Sequence, residues 1–224
     1  MIVVSGASRG LGAAIRAGLI ADGEEVVGLA RSADPAADIL ACDVSDHGAV
    51  KAAMRAIKAR KRPVTALVNA AGIASMNLVL TTPEAVMRRV VETNLLGTMF
   101  LNQQVAPLLI RAGGGSIVNF STIAVTLGLR GEAAYVASKA GVEGFSRAFA
   151  REVADFGVRV NCIAPGPIRT DLLKGITDAQ IAAITEQQVI RRAHEPEEVV
   201  DLVRTLLAPG SRAITGQVIH VGGA

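Results

Sequence analysis

Residues 1–12 read Met1-Ile2-Val3-Val4-Ser5-Gly6-Ala7-Ser8-Arg9-Gly10-Leu11-Gly12, and this stretch decides the fold. A short apolar run leads straight into a turn with glycine at positions 6, 10 and 12, and Leu11–Asp22 then takes up a helical period. Strand, glycine turn and helix in that order open a parallel α/β sheet. Glycine permits the positive φ of a tight turn and lets a pyrophosphate approach the backbone closely. The helix start adds unpaired N–H groups and a partial positive charge. The turn's place between the first strand and first helix gives the motif its weight; the competing reading is an ordinary tight βα turn.

The rest of the chain repeats the alternation. Strands are predicted at Glu25–Ala30, Ile39–Cys42, Ala66–Asn69, Gly115–Phe120, Arg159–Ala164 and Gln217–Val221, after the first at Ile2–Val4. Helices are predicted at Gly48–Arg60, Pro83–Ala112, Glu132–Phe156 and Pro196–Leu207. The expected fold is α/β: a Rossmann-type, doubly wound parallel sheet of about seven strands with helices on both faces. Only Arg31–Asp38 separates the second and third strands, too short for a crossover helix, so a loop or single turn is expected and a less covered sheet edge beside it. No linker or repeat divides the chain, and residues 1–224 read as one domain.

Composition narrows the classes. Hydrophobic residues make up 50% of the 224, ample for a large core, and with no Trp, one Tyr and five Phe that core must be aliphatic. The net charge of +3 is spread along the chain; its densest run, Lys58–Arg62, falls at a predicted helix end, where cations are favoured, and argues against nucleic-acid binding. Cys42 and Cys162 lie in apolar runs outside any CxxC or Cys/His cluster, so no metal site is expected. The N-terminus lacks a signal-peptide layout and no apolar run is long enough to span a bilayer, so a cytoplasmic protein without membrane association is expected.

Two groups carry chemistry in their own right. The second strand ends Leu29-Ala30-Arg31-Ser32, with no carboxylate before Asp34. Dinucleotide-binding folds place an acid there for the ribose hydroxyls of NAD or an arginine for the 2′-phosphate of NADP, so Arg31, with Arg9 closing on the same phosphate, points to NADP(H). Tyr135-Val136-Ala137-Ser138-Lys139 sets a phenol and an amine four residues apart on one helix face. A carbonyl oxygen needs a proton as hydride reaches its carbon. A phenol titrates near 10, and a neighbouring ammonium is expected to lower it towards working pH.

The G-x-x-x-G-x-G spacing within Ser5–Gly12 resembles the short-chain dehydrogenase/reductase family, and further motifs follow in the family's order from Val3 to Val221. The resemblance implies a cofactor site of Gly6, Ser8, Arg9, Gly10, Leu11, Gly12 and Arg31. Asp43 would meet the adenine amino group and Val44 pack on its ring. Asn69-Ala70-Ala71-Gly72 looks like the segment that steadies the sheet centre and lines the cofactor, so Asn69, Ala70 and Gly72 join the set. Pro165, Gly166, Ile168 and Thr170 would contact the carboxamide and a phosphate, and Tyr135 and Lys139 the nicotinamide ribose. For catalysis the family implies Tyr135 as acid/base, Lys139 beside it, Asn94 holding a relay water, and a hydroxyl thirteen residues before the Tyr. That count lands on Thr122, with Ser121 the fallback should the loop be shifted by one. Adjacent residues at a strand end point to opposite sides, so one of the two is expected to face the site. Residues 170–193 would cover the substrate, with Leu172, Leu173, Ile176, Ile181 and Ile184 available to line a pocket.

The expected activity is NADPH-dependent reduction of a carbonyl to a hydroxyl. Among family members the sequence looks most like the 3-oxoacyl-(acyl-carrier-protein) reductases, which implies a 3-oxoacyl thioester. Carrier-protein docking in that group uses basic residues at the site mouth; here Ile123 and Phe156 stand at those places, with Arg130 and Arg151 the nearest candidates. A small ketone, sugar or steroid-like alcohol stays open. A homotetramer or homodimer is implied by resemblance. The alternative from another class is a catalytically inactive nucleotide-binding regulator or scaffold, against which the intact Tyr135/Lys139 pair argues.

Overall fold

The computed structural model describes residues 1–170 and 177–223. In chain order the main elements are β1 (Ile2–Ser5), α1 (Gly10–Ala21), β2 (Val26–Ala30), β3 (Ile39–Ala41), α2 (His47–Ala59), β4 (Ala66–Asn69), α3 (Glu84–Val91), α4 (Gly97–Arg111), β5 (Gly115–Phe120), α5 (Ala124–Leu127), α6 (Ala133–Val153), β6 (Val158–Pro165), α7 (Asp178–Thr185), α8 (Pro196–Leu207) and β7 (Val218–Val221). Seven strands form one sheet in the order β3-β2-β1-β4-β5-β6-β7, every pairing parallel. This is the doubly wound sheet that the alternation of strands and helices predicts.

Strand pleating sorts the core into two layers. Val3, Val27 and Leu29 face α2, α4 and α6, packing with Met54, Ile57, Leu101, Val105 and Ala150. Ile2, Val4 and Val26 face the other way, onto Ile15 and Leu19 of α1 and Val199, Val203 and Leu206 of α8. Strands buried on both faces must be apolar throughout, which is why they read as Val/Ile runs rather than as alternating patterns.

Between β2 and β3 the chain makes only a turn. Asp34 and Ile39 exchange backbone hydrogen bonds, and Asp38, at φ 52°, pairs with both guanidinium nitrogens of Arg60. β3 is the edge strand, and its Ala41 is exposed. The basic run at the end of α2 is neutralised in part: Arg60 pairs with Asp38 and Arg62 with Glu25. Both cysteines are free and buried.

The single helix predicted over Pro83–Ala112 is two helices joined by a π-helical turn at Glu92–Leu96. Asn94 causes it. Its Oδ1 accepts from the Ile73 N–H at 2.8 Å and its Nδ2 donates to the Ile73 carbonyl at 2.9 Å, so a buried amide substitutes for local helix bonding. Gly97 follows because a Cβ there would stand 2.8 Å from Cγ2 of Val44. A π turn is a local widening that proteins concentrate at functional positions.

Candidate active site

At the C-terminal edge of the sheet, between the adjacent strands β1 and β4 where the strand order reverses, lies a cleft of about 420 Å³. Doubly wound sheets bind ligands at this switch point. Gly6, Ser8, Arg9, Gly10, Leu11 and Gly12 form one wall, Arg31, Asp43 and Val44 the far end, and Ala70 and Gly72 the floor; Thr122, Tyr135, Lys139, Pro165, Gly166, Ile168 and Thr170 complete the lining. Of the eighteen cofactor-site residues and four catalytic residues expected from sequence, all line it except Asn69 and Asn94.

The glycine turn is shaped by contact as well as by dihedral angle. Gly6 has φ 69°, and a Cβ on it would come 2.8 Å from the Ala71 nitrogen; one on Gly12 would overlap the Gly6 carbonyl oxygen. Gly10, at φ 55°, opens α1 with nothing within 4 Å of its Cβ position. Arg9 at the N-cap makes no side-chain capping bond, so the first-turn N–H groups face the cleft with the helix dipole behind them. Such a cradle fits a pyrophosphate. Arg31 is exposed at the end of β2 and its charge helps hold the Asp43 carboxyl below its ordinary range; the larger cause there is the hydrogen bond from Ser45.

Asn69 stands behind the floor. Its Nδ2 donates to Asn119 Oδ1 at 2.7 Å, and the same oxygen accepts from Asn102 at 3.1 Å while Asn119 donates to Ser146 at 2.8 Å. The amide therefore fastens β4 to β5 and α4, and sheet-centre support is what its side chain provides. Asn94 likewise lies behind the cleft, wholly buried, its second Nδ2 hydrogen given to Ser138 at 3.1 Å.

The strand end after β5 separates the two hydroxyls. Ser121 is buried and donates to Glu143 Oε1 at 2.6 Å. Both residues border the cleft, but Thr122 keeps its hydroxyl there: its Oγ1 accepts from the Ala124 N–H at 3.2 Å, and the hydroxyl acts on the phenol of Tyr135. Tyr135 and Lys139 stand one turn apart on α6. The Lys139 ammonium is buried and donates to the Phe120 carbonyl at 2.8 Å.

Electrostatics here differ from the sequence expectation. Burial pushes the Tyr135 phenol up to about 12, the Glu132 carboxylate adds to the rise, and only Thr122 pulls it down. Burial depresses Lys139 to about 8. The expected lowering of the phenol by an ammonium fails because desolvation dominates both groups.

Sequence reading missed several lining residues: Ile73, Met76, Arg89, Thr93, Leu129 and Glu132. They come from loops and helix faces that acquire a common direction only on folding. Glu132 had a usable signal, since it precedes Tyr135 by three residues and so shares its helix face. In the covering segment Ile184 of α7 reaches the cleft and Ile181 does not, while Leu172, Leu173 and Ile176 lie outside the described residues. Arg130 is exposed beside the lining residue Leu129, but Arg151 follows Tyr135 by sixteen residues of continuous helix, roughly 24 Å away. Arg151 is therefore no mouth residue. No helix among the described residues is long and apolar enough to cross a membrane.

A family model described as enoyl-(acyl carrier protein) reductase matches residues 6–223. The 3-oxoacyl-(acyl-carrier-protein) reductase of Salmonella typhimurium is 35% identical over 231 aligned positions, covering 99% of this chain and 95% of that protein. The Vibrio cholerae protein of the same name is 37% identical with the same coverage. Among solved structures, the ligand-free aldohexose dehydrogenase of Thermoplasma acidophilum superposes with a TM-score of 0.90 at 30% identity, over 99% of this chain and 92% of that one. A short-chain type dehydrogenase/reductase from Mycobacterium ulcerans gives 0.91 at 28%, over 98% and 87%.

Proposed function

The chain belongs to the short-chain dehydrogenase/reductase family of oxidoreductases, and on that footing we propose that it is an NADPH-dependent reductase of carbonyl groups, with Tyr135 and Lys139 as its acid/base pair. The observation that carries the reading is the convergence on one cleft of a glycine cradle at a helix start, a half-buried Tyr135 and, one turn on, a buried Lys139. The whole of residues 1–224 serves as one dinucleotide-binding and catalytic domain.

The cofactor's pyrophosphate would lie on Gly6–Gly12 and the uncapped start of α1, its 2′-phosphate on Arg31 and Arg9, and its adenine between Asp43 and Val44. Pro165, Gly166, Ile168 and Thr170 would border the nicotinamide. Reduced nicotinamide bound there supplies hydride to an electrophilic carbon. Thr122, whose oxygen accepts from the Ala124 N–H and whose hydroxyl acts on the phenol in the free protein, would turn its proton to the carbonyl oxygen of a bound substrate. Tyr135 delivers the proton that the oxygen gains. A phenol held near 12 stays protonated at neutral pH, which suits an acid in the reductive direction better than a base in the oxidative one. Lys139, fixed by Phe120, stands behind the phenol and holds the ribose. Asn94 positions Ile73 and the loop after β4, and proton exchange with solvent would pass its remaining acceptor site.

The 3-oxoacyl thioester named for the bacterial relatives is one carbonyl of this class. Acyl carrier protein docking would draw on Arg130 alone of the two sequence candidates. Homo-oligomers and a cytoplasmic location remain part of the proposal through family resemblance.

Thermal unfolding with NADPH and, separately, NADH tests the cofactor assignment. A ligand at one hundred times its dissociation constant adds about 2.7 kcal/mol, or roughly 5–11 °C for a domain of this size. A shift with NADPH and little with NADH is expected; no shift with either would overturn the reading.

A further inference from the structure

Glu132 has no part in the mechanism above, yet it is 92% buried and lines the cleft at its catalytic end. It occupies the N-cap of α6, where short side chains such as Asp or Ser ordinarily turn back to bond the first-turn N–H groups. This one makes no capping bond, and among the described residues its carboxylate has no hydrogen-bond or ion-pair partner. Its charge is felt at the Tyr135 phenol, three residues on, whose ionisation it opposes. Its carboxylate oxygens keep some contact with the solvent of the cleft, so the charge is poorly hydrated rather than sealed in, which carries a cost in the free protein. That cost is relieved when a ligand supplies hydrogen-bond donors.

Resting on the carbonyl-reductase reading, we infer that Glu132 selects the substrate: a carbonyl compound bearing a hydroxyl next to the reacting carbon, as in a sugar or other polyol-derived ketone. The hydroxyl donates to Glu132 while the carbonyl oxygen meets Thr122 and Tyr135. Lys139 already provides a cation at this end, so a neutral donor is favoured over a ligand ammonium. A carboxylate or phosphate at the same position would be repelled. A 3-oxoacyl thioester presents only acceptor oxygens around its ketone and leaves Glu132 unpartnered, so it is the poorer substrate. Recognition and chemistry are coupled, because a hydroxyl bonded to Glu132 spreads the charge that otherwise opposes ionisation of Tyr135.

The test compares NADPH-dependent reduction of cyclohexanone, 2-hydroxycyclohexanone and the N-acetylcysteamine thioester of acetoacetate. A charge-assisted hydrogen bond predicts a preference of about ten-fold or more in kcat/KM for the hydroxyketone over the plain ketone, expressed mainly in KM. Glu132→Leu brings that ratio towards one; Glu132→Gln, which keeps an acceptor, retains part of it. In oxidation of 1,2-cyclohexanediol, which requires the phenolate, Glu132→Gln moves the pH midpoint downward, because the carboxylate no longer opposes ionisation of Tyr135 while Lys139 is unchanged. An NADPH-induced thermal shift equal to the wild type's establishes that each variant is folded. A wild-type preference for the thioester, or a hydroxyketone preference undiminished in folded Glu132→Leu, overturns this inference and leaves the reductase reading intact. Turnover of none of the three overturns both.

Discussion

Thr122 and Tyr135 both line the cleft, and the Thr122 hydroxyl lowers the pKa of the phenol, while the hydroxyl of its neighbour Ser121, which also borders the cleft, is given to Glu143 at 2.6 Å. The thirteen-residue count back from Tyr135 lands on the hydroxyl that is not given to Glu143. Thr122→Ala is expected to lower kcat by about 10²–10³, the range for removing one donor from a developing oxyanion, with Thr122→Ser largely restoring it. Ser121→Ala should instead cost stability, about 1–3 kcal/mol, by leaving Glu143 buried with Arg147 as its remaining partner. Steady-state kinetics and urea unfolding of the three variants separate the effects. The reverse order in kcat would place Ser121 at the site.

Arg31 should decide the cofactor. Replacing it by Asp removes a charge-assisted contact to the 2′-phosphate and adds a repulsion, so NADPH binding is expected to weaken by about ten- to a hundred-fold while NADH gains. Fluorescence titration of both cofactors checks this. Unchanged selectivity would locate the phosphate elsewhere, with Arg9 the first place to look.

Lys139 gives the fold a pH signature. Its pKa falls from 10.5 to about 8 on burial, so between those values the folded chain binds fewer protons than the unfolded one and stability rises with pH. The raised groups oppose this: Tyr135 at about 12 and the thiols of Cys42 and Cys162 at about 11 keep protons that the unfolded chain releases above pH 10 and pH 9, so they lower stability there. Lys139→Met removes the first contribution, and with it the smaller pull of the ammonium on the Cys162 thiol. The difference in unfolding free energy, wild type minus variant, is expected to grow by roughly 3 kcal/mol across the window in urea titrations. A flat difference would contradict the burial of the ammonium.

Asn119 holds the sheet centre, bonded to Asn69, Asn102 and Ser146. Asn119→Leu takes the acceptor from the buried Asn69 amide and one bond each from Asn102 and Ser146, which keep Thr98 and Val142 as partners. A loss of about 3 kcal/mol is expected, or roughly 6–12 °C in Tm. A loss below 1 kcal/mol would mean that the network relaxes around the substitution.

The sheet was legible because each buried strand is a short Val/Ile run bounded by glycine or polar residues, and β4, β5 and α8 have the predicted limits. Phosphate-end glycines and the Tyr135/Lys139 spacing were legible because local geometry sets both. What escaped depends on tertiary placement. The break at Asn94 arises from a loop twenty-one residues earlier that its side chain captures. Asn69 sits at a strand end, as expected, but Asn119 draws its amide inward. The pKa of Tyr135 follows burial, which sequence spacing does not encode, and Glu132 reads only as the first residue of a helix until folding sets it in the cleft.

The most direct test is carbonyl-dependent oxidation of NADPH by the wild type and by Tyr135→Phe, with NADPH binding measured on both. The wild type should turn over and the variant should lose at least 10²–10⁴ of its kcat, the usual worth of a positioned proton donor, while binding NADPH within a few-fold of the wild type. Undiminished turnover in a folded Tyr135→Phe would remove the phenol from the chemistry and contradict the mechanism.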